Sequence, residues 1–455
     1  MKNTQTIQTR TVEDFFDHEV CDYAKYTITN RAIPHLIDGF KPTQRKIAFV
    51  AARVWRSGDE KPLKVFQLGG RVAAEAHHHH GAPDGTIIGM AQAFKNSMPI
   101  FEGVGQFGCL RSPEAGAARY VGVKLSSNFR LLYKDFELLE RQYEEGDEIE
   151  PKFFLPIIPT VLLNGSSGIA VGFATNILNR HPLTLIDACS AVINKRKQPK
   201  LVPWIRGFEG TFANADDNHL SWVAAGMYEV KNSTVVEVTE IPPSLTYEKY
   251  EQHLENLVEK RVIVSYDDHS GERVHYVVRF TRQTLADLIK RGKLDDVLRM
   301  REREGEILTV LDENGKLRIF RSVEEIVEAF VAVRLGYYFK RKQRIIDDLT
   351  TEISILSNRA RFIKAIVDGE LIVNLRRRIE IEGDLRSMSF NELDGGYGYL
   401  IGMPISSLTR EKHDELLVSL AKRQEELEKI REIEPIDMYR ADLKELRKHI
   451  EKHGA

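Results

Sequence analysis

The sequence contains few cysteines and no long apolar run. Cys21, Cys109 and Cys189 lie far apart among 455 residues and form no CxxC pair. This spacing excludes a disulfide framework and a cysteine zinc site, and it is typical of proteins from a reducing cytoplasm. No apolar stretch approaches the roughly 20 residues that a membrane span needs, and the N-terminal residues lack the apolar core of a secretory signal. We therefore expect a cytoplasmic globular protein with no membrane partner.

The chain also lacks a large charge of either sign. Its formal net charge of −2 gives no general attraction to nucleic acid, but the charge is unevenly distributed. Residues 41–71 contain only two acids, while residues 143–150 are rich in acids. The cations of the first segment are Lys41, Arg45, Lys46, Arg53, Arg56, Lys61, Lys64 and Arg71. Such a local basic run indicates either phosphate binding or a solvated helix face.

The first part of the chain is predicted to be helical. Residues 12–60 have apolar positions near helical spacing, with a turn at Gly39 and Pro42. Residues 69–80 and 83–94 predict two short helices separated by Gly81. Two short helices beside a basic run resemble a helix-turn-helix, a common pattern.

The middle of the chain changes character at residue 153. Residues 153–177 are apolar, β-branched and interrupted by glycine and proline. Residues 233–241 and 273–280 alternate as strands do, and residues 247–261 between them have a helical pattern. An α+β region is therefore expected to extend to about residue 320.

Two long helices are predicted in the last part of the chain. Ser322 and Glu325 match a capping box at the start of the first. The second is expected from Thr409 to about Glu432. Two long helices that run out and back predict an antiparallel pair with a small domain at the far end.

The segment "EAGAARYVGVKL", residues 114–125, carries the clearest chemical hypothesis. Tyr120 is a poor nucleophile at neutral pH because the ordinary pKa of a phenol is about 10. The adjacent Arg119 could stabilise a phenolate and hold the phosphate that it attacks. Small residues from Ala115 to Ala118 would let a DNA strand approach closely. A structural aromatic residue is the ordinary alternative.

Three motifs occur in the order found in one family. They are "NRAIPHLIDGFKPTQRKI" (residues 30–47), "GVGQFG…AARY" (103–120) and "PIIPTVLLNGSSGIAVGFATNI" (156–177). Together they resemble the DNA breakage–reunion subunit of type II DNA topoisomerases, the class that includes gyrase A subunits. The chain stops soon after the second long helix, without a DNA-wrapping domain, and so is similar to the medium subunits of T-even phage topoisomerases.

The resemblance implies a multidomain α+β fold. We expect a winged-helix DNA-cleavage domain over residues 1–152 and an α/β tower domain over 153–320. Residues 321–455 are expected to form a long antiparallel coiled coil with a small helical dimerisation domain.

The resemblance also implies roles for individual residues. Tyr120 matches the tyrosine that attacks a DNA phosphodiester and becomes linked to the 5′ phosphate, and Arg119 matches the arginine that assists it. Ile169 matches the apolar residue that wedges between base pairs and bends the duplex; a buried core isoleucine is the alternative. The basic positions that match those lining the DNA path are Arg31, Lys41, Arg45 and Lys46.

Four consecutive histidines, His77 to His80, match a histidine motif that holds phosphate near the scissile bond. Adjacent helical residues point about 100° apart, so four in a row cannot converge on one zinc ion. A purification tag is implausible at an internal site. An ungapped match places His77 and His78 on the motif, whereas matching its glycine to Gly81 selects His79 and His80 and requires a two-residue deletion. We favour the ungapped match because a deletion inside a short helix is disruptive.

Other features of the family are missing or altered. A basic residue frequent in relatives falls on Leu110, and whether Arg111 replaces it is open. The sequence has no Gly-rich ATP-binding motif and no acidic metal-binding set, so no metal ligand is assigned. The resemblance therefore implies that Mg²⁺ and ATP are held by partner subunits, that double-stranded DNA is the substrate, and that the chain forms a homodimer. The alternatives are a non-catalytic DNA clamp and a tyrosine recombinase, which would need a different set of Arg and His residues.

Overall fold

The computed structural model describes residues 11–56, 61–78, 81–216, 220–271, 273–393 and 395–454. Internal contacts divide the chain into two compact units, Met1–Arg334 with Asp442–Ala455, and Leu335–Ala441. The predicted third domain, 321–455, is thus divided between both units. This division into two units sets no boundary between residues 1–152 and residues 153–320, so the three-domain division stays a prediction.

Both helices and strands are present, as the α+β prediction requires. The α-helices are α1 (Val12–Phe15), α2 (Cys21–Thr27), α3 (Pro42–Val54), α4 (Val65–Glu75), α5 (Asp84–Ala91), α6 (Ser127–Leu132), α7 (Thr160–Leu163), α8 (Pro182–Ile193), α9 (Tyr247–Glu259), α10 (Arg282–Lys290), α11 (Leu294–Val297), α12 (Val323–Val367), α13 (Arg378–Ser387), α14 (Gly398–Ile401), α15 (Arg410–Glu432) and α16 (Pro435–His453). π-Helical segments, Phe16–Val20 and Ile28–Ala32, follow α1 and α2, and short 3₁₀ segments occur at Phe136–Leu138 and Ile405–Ser407.

The strands form several small antiparallel sheets. They are β1 (Leu63–Lys64), β2 (Phe101–Val104), β3 (Gly122–Leu125), β4 (Tyr133–Lys134), β5 (Gln142–Glu144), β6 (Asp147–Ile149), β7 (Leu155–Pro156), β8 (Ser166–Ile169), β9 (Ala174–Ile177), β10 (Thr211–Asn214), β11 (Ser221–Ala225), β12 (Met227–Val230), β13 (Val235–Glu240), β14 (Ser265–Asp268), β15 (Tyr276–Arg279), β16 (Arg301–Gly305), β17 (Thr309–Leu311) and β18 (Leu317–Ile319). The larger sheets have the orders β1-β3-β2, β10-β11-β16 and β12-β13-β15-β14, and the two-stranded ones are β4-β7, β5-β6, β8-β9 and β17-β18.

Helices α3, α4 and α5 and the sheet β1-β3-β2 form the part of the first unit that contains Tyr120. Pro42 begins α3, where its missing N–H costs no hydrogen bond. The two short helices predicted beside the basic run are α4 and α5. Helix α4 ends before the histidines, and His77 has a φ of 48°, in the left-handed region that a helix cannot continue through.

The predicted strand–helix–strand region is confirmed. Strands β13 and β15 pair directly, and α9 lies between them in sequence. Alternate side chains of these strands point to one face of the sheet, which packs against α9. Val236, Val238, Tyr250 and Leu254 share one buried core there. This core is built from period-2 and period-3.6 apolar positions, as the sequence pattern indicates.

The second unit contains most of α12 and all of α15. Lys342 Nζ donates to the Arg431 carbonyl at 2.8 Å, and Glu352 pairs with Arg423 at 3.0 Å. These contacts show that the two helices run antiparallel. Thr409 caps α15 as expected, accepting a hydrogen bond from Lys412 N.

Candidate functional site

Tyr120 lies in an exposed turn that follows a run of small residues. Its side chain is 68% exposed, although aromatic side chains of this size are usually covered. The Arg119 guanidinium carbon lies 4.9 Å from the centroid of the Tyr120 ring. The predicted pair is therefore adjacent in space and reachable from solvent.

The start of helix α4 holds this turn in place. Lys64 Nζ donates to the Tyr120 carbonyl at 2.6 Å. The backbone N–H groups of Val65 and Phe66 donate to the carbonyls of Val121 and Ala118, at 3.1 and 3.2 Å. N–H groups at a helix start have no intrahelical partner, so the turn around Tyr120 satisfies them. The sequence pattern places Lys64 only in the basic run and gives no sign of this positioning role, because only the fold brings residues 64 and 120 together.

Ile169 is exposed at the end of strand β8. It is 88% exposed, so the alternative interpretation as a core residue is wrong. The hairpin β8-β9 that carries it approaches the chain at residue 32, where a Cβ added to Gly168 would collide with the Ala32 carbonyl. Lys41 Nζ donates to the Ser167 carbonyl at 2.6 Å and so connects α3 to this hairpin.

The prediction that Arg45 lines the DNA path does not agree with its buried position in the structure. Arg45 is buried, and its Nε and one terminal nitrogen donate to the two carboxylate oxygens of Asp38 at 2.7 and 3.0 Å. Asp38 is fully buried and also accepts from the backbone N–H groups of Phe40 and Phe154. The guanidinium is already neutralised and enclosed, so Arg45 stabilises the fold and has no free charge to offer a phosphate.

The other predicted cations have different surroundings. Lys46 is half-buried and pairs with Glu150 at 3.0 Å, which leaves it poorly placed for phosphate in this conformation. Arg31 is exposed. Lys41 is half-buried, and burial lowers the pKa of its ammonium group. The basic run is therefore partly structural, because carboxylates of the acid-rich segment pair with it.

The histidines are only partly described. His77 is half-buried, with Nδ1 3.6 Å from Glu144 and Nε2 3.5 Å from Asp147, two carboxylates of the hairpin β5-β6. His78 N donates to the Ala73 carbonyl at 3.3 Å. His79 and His80 lie outside the described residues. Which pair binds phosphate stays a prediction.

Arg111 does not replace the basic residue missing at Leu110. It is buried, pairs with Glu240, and donates to the carbonyls of Pro242 and Leu245 at 2.8 Å each. Arg111 therefore joins the segment that contains Tyr120 to the region around β13.

The described residues contain no group of three or more His, Cys, Asp or Glu side chains arranged to hold a metal ion. Among the described helices, none combines the length and apolarity of a membrane span.

Comparison with known proteins identifies the family to which this fold belongs. The family model of the gyrase A type, which describes the A subunits of DNA gyrase and topoisomerase IV, matches residues 31–445. The chain belongs to this family, which breaks and rejoins both strands of DNA and so changes its topology.

Individual relatives extend the comparison. The chain is 31% identical over 450 residues to the DNA topoisomerase medium subunit of Enterobacteria phage T4, covering 97% of this chain and 100% of that protein. It is 33% identical to the mitochondrial DNA topoisomerase 2 of Dictyostelium discoideum, covering 98% of this chain but only 36% of that protein.

A solved structure shares the fold. The DNA-binding, cleavage and re-ligation domain of Plasmodium falciparum topoisomerase II matches with a TM-score of 0.84 and 31% identity. The match covers 96% of this chain and 64% of that chain.

Proposed function

We propose that this chain is the DNA-cleaving and rejoining subunit of an ATP-dependent type II DNA topoisomerase. The exposed Tyr120 beside Arg119, at the position of the family's nucleophile, is the observation that carries the proposal. The phenol oxygen attacks a backbone phosphorus, the 3′ oxygen leaves, and a 5′-phosphotyrosine forms. Attack by the 3′ hydroxyl then restores the phosphodiester and releases Tyr120, so resealing needs no outside energy. A second duplex passes through the open gap.

Other residues are proposed to support this reaction. Arg119 stabilises the phosphate that Tyr120 attacks. His77 and His78, or His79 and His80 in the gapped match, hold phosphate near the scissile bond. Arg31 and Lys41 bind backbone along the DNA path, Lys46 does so only after it releases Glu150, and Ile169 bends the duplex. We interpret the helices α3 to α5 with the sheet β1-β3-β2 as the winged-helix domain.

Partner subunits are proposed to supply the metal and the ATPase. Mg²⁺ would neutralise phosphate oxygens and the leaving oxygen when bound, and the sequence has no acidic metal-binding set of the kind that the family uses. The chain matches the whole length of a phage protein that is named a medium subunit. This name supports an assembly that contains further subunits. The scattered cysteines and a DNA substrate support a cytoplasmic location, in the bacterial host if a phage encodes the chain.

A homodimer is proposed because a double-strand break needs two tyrosines, placed symmetrically on opposite strands. The small domain between α12 and α15, interpreted as the end of a coiled coil, exposes three apolar side chains. Ile372, Leu375 and Ile379 are 62%, 108% and 80% exposed. Exposed apolar clusters of this kind are typical of association surfaces.

Replacing Tyr120 with Phe tests the assignment. The change removes only an exposed hydroxyl, so folding and duplex binding should survive while protein-linked 5′ ends disappear from reactions reconstituted with partner subunits, Mg²⁺ and ATP. Tyr143→Phe is the matched control, because Tyr143 is 63% exposed and lies in strand β5. Adducts that persist in Tyr120→Phe would refute the assignment. A wild-type chain that binds duplex but never forms adducts would instead indicate a non-catalytic clamp.

A further inference from the structure

A cleft of about 610 Å³ in the first unit contains a lysine to which the sequence motifs give no role. Lys95 lies on one side of this cleft, and Lys41 also lines it. Between them the walls present amide and hydroxyl side chains, among them Asn164, Asn176 and Ser166. The amides of Asn164 and Asn176 already donate to the carbonyls of Met98 and Gly305. The two lysines and the single carboxylate of Glu304 give the lining an excess of positive charge, which is suited to an anion.

The backbone of Lys95 is fixed at this position. Its N–H donates to the Gln92 carbonyl at 3.1 Å, and its own carbonyl accepts from Asn179 Nδ2 at 2.8 Å. The Lys95 ammonium lies 5.7 Å from the centroid of the Phe94 ring. The backbone of Lys95 is therefore fixed beside the cleft, and its exposed side chain is accessible to a ligand there.

Neither lysine of the cleft has a counter-charge among the residues that the structure describes. No carboxylate there lies within ion-pair distance of Lys41 or Lys95, whereas Lys46 and Arg53 are paired. Burial lowers the pKa of both Lys41 and Lys95. Glu304 is the carboxylate in the lining, and burial and Glu302 raise its pKa. Lys41 Nζ already donates to the Ser167 carbonyl, and Lys95 is exposed to solvent. An anion bound beside these two ammonium groups would be attracted by both charges and would favour their charged forms.

We infer that Lys95 binds a backbone phosphate of duplex DNA in this cleft, beside Lys41. This inference rests on the proposed function and adds a binding residue to it. The choice of DNA follows from position: Ser166 and Ser167 of the cleft belong to strand β8, which ends at the exposed Ile169. A duplex that contacts Ile169 would pass the mouth of the cleft.

Salt dependence of binding tests the inference. Each cation that neutralises a phosphate adds about 0.9 to the slope of log affinity against log salt. Lys95→Gln in the full chain should flatten that slope by about 0.9 with a 30-base-pair duplex. The control is Lys290→Gln, an exposed lysine at the end of α10, which should leave the slope unchanged. An unchanged slope for Lys95→Gln, with wild-type adducts formed normally, would overturn this inference alone; absence of wild-type adducts would count against the proposed function.

A footprint separates DNA from a free anion. Lys95 acetylation, measured by mass spectrometry, should be slowed by the duplex and not by inorganic phosphate at the same total phosphate concentration. Protection by inorganic phosphate alone would overturn the assignment to DNA.

Discussion

At the scale of single residues, similar side chains in one basic run have different roles. Arg45 and Arg31 both match basic positions of the family, yet one is enclosed with Asp38 and the other is exposed. Burial decides between them, because an arginine enclosed with a carboxylate has no free charge to offer a phosphate. A buried pair that loses one partner leaves an uncompensated charge, which is far more costly than losing an exposed cation.

Arg45→Ala should therefore reduce stability more than DNA affinity. Asp38 would stay buried without its cation, and we expect the free energy of unfolding to fall by about 3 to 5 kcal/mol. Urea denaturation followed by circular dichroism measures this change.

Arg31→Ala provides the comparison for Arg45→Ala. It should leave the urea midpoint nearly unchanged and lower the salt slope of duplex binding by about 0.9. If Arg45→Ala is as stable as the wild type but binds DNA with a flatter slope, the structural role given to Arg45 is wrong.

At the scale of elements, the hairpin β8-β9 presents an apolar side chain to solvent without a visible structural reason. Its register pairs Ile169 with Ala174, and the loop closes through Ala170 N to the Phe173 carbonyl at 2.8 Å. Close approach at Gly168 fixes the hairpin against the Ala32 carbonyl. A rigid hairpin with an exposed apolar end is suited to inserting between base pairs. The contacts it makes there offset the free energy that is lost when the bases unstack.

Ile169→Ala should weaken bending without destabilising the protein. The side chain is already exposed, so little burial is lost on folding. We expect a shallower bend, measured by energy transfer between dyes at the duplex ends, and affinity lower by about tenfold, or about 1.4 kcal/mol.

Val171→Ala in the same hairpin, where the side chain is 41% exposed, is the control and should bend DNA normally. Equal bending by wild type and Ile169→Ala would rule out the wedge role.

At the scale of the whole molecule, the proposed nucleophile Tyr120 occurs once per chain, and the proposed double-strand break needs two. Residues 372–379 of the second unit contain an exposed apolar group, which we propose as the symmetric interface. An isologous contact brings the same segment of each copy together, so one charged substitution enters the interface twice.

Leu375→Glu should therefore dissociate the dimer. Sedimentation of the wild type at micromolar concentration should give about twice the 52.0 kDa chain mass, and the variant should shift towards a single chain. Val418→Glu on α15, where the side chain is 72% exposed, serves as the control and should stay dimeric. A wild-type monomer that persists with DNA present would refute the dimer.

Much of the architecture follows from local pattern. The positions of α5, α9 and α15 and of the strands β13 and β15 were predictable, because apolar periodicity and capping residues act within a few residues of the chain. The helix predicted over residues 69–80 is α4, Val65–Glu75, so its predicted extension over the histidines is wrong. Ser322 Oγ accepts a hydrogen bond from Glu325 N at 3.3 Å, as the capping box predicts. The Glu325 side chain accepts from Arg321 N, whereas the capping box predicts Ser322 N as the donor.

The sequence by itself determined the class of protein, the α+β composition and the residues Tyr120, Arg119 and Ile169 as candidates, since ordered motifs specify these directly. The tertiary structure alone decided which cations are free. Asp38 with Arg45, Glu150 with Lys46, Glu240 with Arg111 and the Tyr120 carbonyl with Lys64 are contacts between residues 7 to 129 positions apart. A charge is neutralised by an opposite charge or dipole that lies close to it in space, and the order of residues along the chain does not reveal the distance between those groups.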